Sequence, residues 1–203
     1  MGVKVVHRPP DYAKRIGAGL APVMKKAAMY LQSSANKKIS GGIAPANAPL
    51  TQEVKQGSQT LRDRGELAQS IAPHSGDLWA DASTNLKYAR IQQEGGTITA
   101  KNAKALWIPA SAKARTLMRS YGTVTPRNLI AAMKADDYQF FHPSGSKVYW
   151  AKKGKRGKPF PLFILRKSVK IPARPFLYID EKDEAYLLKL VQEGVMKALK
   201  RKG

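Results

Sequence analysis

Asp136 and Asp137 are adjacent carboxylates in a chain crowded with cations. Paired carboxylates in such a setting could hold Mg²⁺ for phosphodiester cleavage. Asp180, Glu181, Asp183 and Glu184 form a second acidic group that could do the same. Both groups have plainer readings. The second is the acidic first turn expected where a helix begins, and the first falls at the end of a predicted helix. His7, His74 and His142 lie far apart and none belongs to a ligand pair. With no cysteine in the chain, the common structural zinc sites lack their ligands. Gly17-Ala18-Gly19 begins like a dinucleotide fingerprint, but Pro22 stands at the third glycine position. Gly154 to Lys158 lacks the Lys-Ser/Thr end of a phosphate loop. No Ser, Thr or Lys stands in a nucleophile elbow or similar activating context. The expectation is a protein with no catalytic residue, no cofactor and no metal.

The remaining chemistry is recognition by charge. Lys and Arg number 36 against 14 Asp and Glu, a formal net charge of +22. Such an excess repels itself in a compact monomer and favours a polyanion or an acidic protein surface as partner. From Lys147 to Arg174 there are ten cations and no acid, interleaved with Tyr149, Trp150, Phe160 and Phe163. Lys152, Lys153, Lys155, Arg156 and Lys158 gather around Gly154 and Gly157, as a hairpin tip or mobile loop would, and are the candidate contacts to DNA or an acidic partner. The aromatics could stack on bases as in single-strand binders. Alternation into a small core is the favoured reading, because a strand pair needs it anyway.

Several elements must position these groups. Tyr12, Ile16, Leu20, Val23, Ala27 and Leu31 recur at helical spacing, with Pro22 predicting a kink or a fresh start. Ser40 to Pro49 reads as a loop. Asp63 with Glu66 reads as a capping box opening a helix through Ile71. Gly76-Asp77 predicts a turn between two short extended segments, the second Leu78 to Ala82. Tyr88 to Ile91 is a short helix or strand ended by Gly95-Gly96. Short apolar runs at Leu106–Pro109, Tyr138–Phe141, Val148–Ala151 and Phe160–Leu165 read as strands, with one helix between Pro126 and Ala135. Ile171-Pro172-Ala173-Arg174-Pro175-Phe176 must be extended, since proline restrains itself and the residue before it. A closing helix follows, acidic at Asp180 and Glu181 and basic at Lys197 to Lys202, with Leu188, Val191, Val195 and Leu199 as its buried face.

The fold expected is α+β. N- and C-terminal helices pack on an antiparallel or mixed sheet in one domain over 1–203, with residues 97–161 a β-rich basic insertion. The N-terminus turns polar at His7, Arg8, Pro9 and Pro10 before any apolar run develops, so no signal peptide is read there. The longest apolar stretch, around Phe160 to Leu165, is too short to span a bilayer, and no membrane partner is expected. Absence of cysteine fits folding in a reducing cytoplasm.

Three motifs in order carry a likeness. They are Leu61-x-Asp63-x-Gly65-x-Leu67…Ser70-Ile71, then Thr84-Asn85-x-x-Tyr88-Ala89-Arg90-Ile91-Gln92-Gln93-Glu94-Gly95-Gly96, then Ile171-Pro172-Ala173-Arg174-Pro175-Phe176-Leu177. Together they resemble the phage virion morphogenesis family, which includes tail-completion proteins of Mu-like contractile-tailed phages. Gln92 departs from the His expected in many relatives, which argues against a catalytic role there. The resemblance implies a structural protein acting in tail completion and head–tail joining. It would form a homo-oligomeric ring at the tail–head junction of the virion, after assembly in the host cytoplasm. Its partners would be further copies of itself, tail and head-connector proteins, and virion DNA in the channel. Arg174, held stiffly between Pro172 and Pro175, suits a subunit contact together with Phe176, or an ion pair to the Asp180–Glu184 cluster. The alternative function is a stand-alone basic nucleic-acid-binding protein.

Overall fold

The chain from Pro10 to Gly41 forms one helix, α1, 32 residues long. In this computed structural model residues 10–55, 59–122 and 125–200 are described, without the side chains of 10–18, 199 and 200. The readings placed on His7 and the side chains of Tyr12, Ile16 and Leu199 lie outside them. Pro22 neither ends nor restarts α1. Its missing N–H and ring clash cost about 3 kcal/mol. Burial of Leu20, Met24, Ala27, Ala28, Ala35 and Ile39 on one stripe opposes that loss, while Pro22 itself faces outward.

The remaining elements are α2 (Pro49–Lys55), α3 (Glu66–Gln69), β1 (Ala72–Ser75), β2 (Ala80–Ser83), α4 (Ala89–Glu94), β3 (Gly96–Thr99), β4 (Leu106–Pro109), α5 (Ala112–Ser120), α6 (Pro126–Ala135), β5 (Tyr138–Phe141), β6 (Val148–Lys153), β7 (Phe160–Arg166), β8 (Ser168–Ile171) and α7 (Glu181–Lys200). Every strand pair is antiparallel, and the class is α+β. Helices α2 and α5 were not foreseen. Pro49 at the first position of α2, and Ser111 accepting from the Ala114 N–H at 3.2 Å to cap α5, are the signals that could have found them.

The chain divides into two compact units. Met1–Ile43, Arg64–Gln93 and Pro175–Gly203 make the first; Ala44–Asp63 and Glu94–Arg174 make the second. In the first, α1 packs along α7 and against the β1–β2 hairpin. The two helices approach closely because α7 offers Gly194 there: a Cβ at that position would lie 2.5 Å from Val23 Cγ2. Gln32 Nε2 donates to the Ile71 carbonyl at 2.7 Å, tying α1 to the start of the hairpin.

The face expected for the closing helix needs correction. Leu188 is 56% exposed, whereas Asp183 is buried and Leu187, Leu190, Val191 and Val195 are half-buried. The capping box is also overturned. Residue Gly65, at φ 82°, is the N-cap of α3 and supplies no side-chain cap, and the helix ends at Gln69 rather than Ile71. Asp63 is engaged elsewhere, by the Arg115 guanidinium. An ion pair outcompetes a cap when the chain brings a guanidinium to the carboxylate.

The second unit is built on a four-stranded sheet in the order β4-β7-β6-β5. Its inner face carries Trp107, Tyr138, Phe140, Tyr149, Ala151, Phe160 and Phe163, packed with Ala114 of α5 and with Leu129 and Met133 of α6. Edge-to-face contacts of Trp107 with Tyr149 and Phe163 order this core. Strict alternation would turn one of Leu162 and Phe163 outward, yet both are fully buried. The register shift beside Tyr149 and Trp150 leaves Leu162 as the extra residue and breaks the alternation there. Strands β3 and β8 form a separate two-stranded sheet.

Candidate interaction surfaces

A hairpin between β6 and β7 carries the five predicted contact cations. Lys155, Arg156 and Lys158 are exposed at its tip, while Lys152 and Lys153 lie in β6 opposite Gln139 and Tyr138. Gly154 turns at φ 61°, a conformation that suits glycine, and its N–H donates to the Asp137 carbonyl at 2.8 Å. A Cβ at Gly157 would run into the Lys153 carbonyl, so the return strand needs glycine there too. The tip thus projects cations from a tight glycine turn.

The aromatics of the basic segment divide. Tyr149, Phe160 and Phe163 belong to the core. Trp150 lies on the opposite sheet face, stacked on Phe141 with ring centroids 6.3 Å apart. One acid of each acidic group has a structural role. Asp136 ends α6 and accepts from the Tyr121 hydroxyl, whose pKa this bond, more than burial, pushes up to about 12. Asp183 is buried on α7 and accepts from Lys38 Nζ at 2.6 Å, Ser34 Oγ at 2.8 Å and Tyr30 OH at 3.0 Å. Burial would raise its pKa, but the bonds from Lys38, Ser34 and the Asp180 backbone, with that from Tyr30, hold it down at about 2. Lys38 also donates to the Tyr178 carbonyl at 2.7 Å and sits 3.9 Å from that ring's centroid. Nothing in the sequence pattern links Lys38 to Asp183 across so many residues. Among the described residues no group of three or more His, Asp and Glu is placed to hold a metal. His74 and His142 are both exposed, the latter's Nε2 2.6 Å from the Ser146 carbonyl.

Arg174 and Phe176 are both turned into the protein. Arg174 is 6% exposed and donates through Nε to the Pro45 carbonyl at 2.8 Å and through Nη2 to the Ala46 carbonyl at 3.1 Å. Its guanidinium satisfies carbonyls rather than a carboxylate, and burial pushes its pKa down. Phe176 is fully buried, and its N–H, like that of Leu177, donates to Gln93 Oε1, at 2.8 and 3.0 Å. Gln93 Nε2 returns a bond to the Leu177 carbonyl at 2.9 Å. One amide side chain thereby satisfies an extended backbone that has no strand partner there. Gly95, at φ 73°, has the Ala173 N only 2.6 Å from where a Cβ would be. The second and third sequence motifs are therefore the two sides of a packed junction in each unit.

In the second unit, β4 and α6 also bound a groove of about 780 Å³. Trp107, Pro126, Ile130 and Ala131 make it apolar, and Arg127 and Lys134 stand on its rim. Sequence reading passed over these two cations because they are dispersed along a helix rather than clustered.

The chain matches the family model described as the phage virion morphogenesis family over residues 10–123. That span contains the first two sequence motifs, and Ile171 to Leu177 lies beyond it. No curated protein and no solved structure matches the chain.

Proposed function

The chain belongs to the phage virion morphogenesis family, and from that premise we propose that it is a non-catalytic tail-completion subunit that closes into a ring at the tail–head junction. A virion-associated role follows from the family, and no described helix is long and apolar enough to cross a membrane. The observation that carries the finer reading is the β6–β7 hairpin: Lys155, Arg156 and Lys158 project from a tight glycine turn with no ion pair among the described residues. Cations so presented suit the phosphate backbone of DNA passing through a channel. The proposed partners are further copies of the chain, tail and head-connector proteins, and virion DNA. Removing the gene should leave heads and tails unjoined. Infectious particles assembled normally without it, or substrate turnover by the pure protein, would overturn the proposal.

A second reading, a stand-alone nucleic-acid binder, is favoured by the charge of the second unit, whose sequence carries 19 Lys and Arg against five Asp and Glu. Sedimentation with and without DNA separates the two. The ring reading predicts concentration-dependent assembly of the protein alone, and the alternative predicts a monomer that binds DNA tightly.

A further inference from the structure

Acids are scarce in this chain, yet α7 opens with several of them on an outward stripe. Glu181 and Glu184 are exposed and carry no ion pair among the described residues. Leu188, one turn further on, is 56% exposed, and Ile179 just before the helix is 58% exposed. An unpaired acidic edge beside bare aliphatic side chains is the negative image of the groove on α6. There Arg127 and Lys134 flank the apolar Ile130 and Ala131, with Trp107 behind them. Neither rim cation is paired with a carboxylate among the described residues.

We propose that the α7 stripe of a second copy docks in the α6 groove, Leu188 entering the apolar floor and Glu184 meeting Lys134. Helix geometry supports this register. Leu188 and Glu184 are four residues apart, as are Ile130 and Lys134, so both pairs are separated by about 6 Å along antiparallel helices at 1.5 Å per residue. Charge complementarity sets the orientation, and the desolvated leucine supplies contact area. The two patches are unlike, so a contact made once between each pair of copies is heterologous. Each copy offers one stripe and one groove, and contacts made with a different neighbour at each propagate head to tail into a ring or a filament. This inference rests on the ring reading above and names the contact that would build the ring.

The chain has no cysteine, which allows a test free of background crosslinks. Full-length Ala131→Cys and Leu188→Cys chains are mixed under oxidising conditions. The expected product is a covalent dimer containing one chain of each kind, with neither variant crosslinking alone. A crosslink in Leu188→Cys alone would mean that α7 pairs with α7, and would overturn the proposal. In parallel, sedimentation compares the native chain with charge reversals. Lys134→Glu and Glu184→Lys should each weaken self-association by about tenfold or more, and the double variant should recover most of the loss. Assembly of the native chain that ignores these substitutions and gives no mixed crosslink overturns this contact and leaves the ring reading standing. A native chain that stays monomeric at the highest attainable concentration overturns both.

Discussion

Asp183 shows what a single buried carboxylate does when its bonds outweigh its burial. With Lys38, Ser34 and Tyr30 all donating to it, its pKa lies at about 2, below the ordinary value of 3.8. A depressed carboxylate contributes stability that is fully present above the unfolded pKa and is lost as pH falls through the folded one. Asp183→Asn should therefore lower stability by about 3 kcal/mol at neutral pH, leaving the Lys38 ammonium with only the more exposed Asp180 carboxylate at 3.3 Å. The charge-dependent part of the difference from the native chain should shrink below about pH 4 and be lost as pH falls through about 2, as denaturant unfolding across that range would measure. Gly95 makes a separate case. Its backbone lies at φ 73° and a Cβ would press on the Ala173 N, so Gly95→Ala should cost about 1–3 kcal/mol. A thermal midpoint equal to that of the native chain would show that the junction gives way without strain.

At the scale of elements, the four strands at 106–109, 138–141, 148–153 and 160–166 and the helix at 126–135 were legible from local pattern. Short apolar runs bounded by Gly, Pro and Lys leave little other choice. The inward face of α7 was less legible. Leu188 has helical spacing to its apolar neighbours, but period alone does not say which stripe of a helix meets another element. The stripe bearing Asp183, Leu187 and Leu190 turns inward because Lys38 and Ser34 of α1 lie there to receive Asp183. Unfolding measurements should reflect that difference. Phe163→Ala, at a fully buried site in the sheet core, should lose about 3–5 kcal/mol. Leu188→Ala should stay within about 0.5 kcal/mol of the native chain. A large loss at Leu188 would put it back in the interior.

For the whole molecule, charge is the governing quantity. An excess of 22 cations cannot be neutralised inside the chain, and such a surface favours a polyanion or an acidic protein face over another basic one. If the β6–β7 tip meets DNA, replacing Lys152, Lys153, Lys155, Arg156 and Lys158 with Ser should flatten the dependence of log affinity on log salt. Each lost phosphate contact removes roughly 0.9 from the slope, and an unchanged slope would remove DNA from that surface. Composition and motif order by themselves determined the family, the α+β class and the basic hairpin, because these depend on residue type and near-neighbour spacing. Only the tertiary structure decided that Arg174 and Phe176 are turned inward, that Asp63 serves Arg115 rather than a helix cap, and that Arg127 and Lys134 share a groove with Trp107. A side chain's partner is set by which distant backbone the fold brings within a few ångströms, and no local period in a sequence carries that distance.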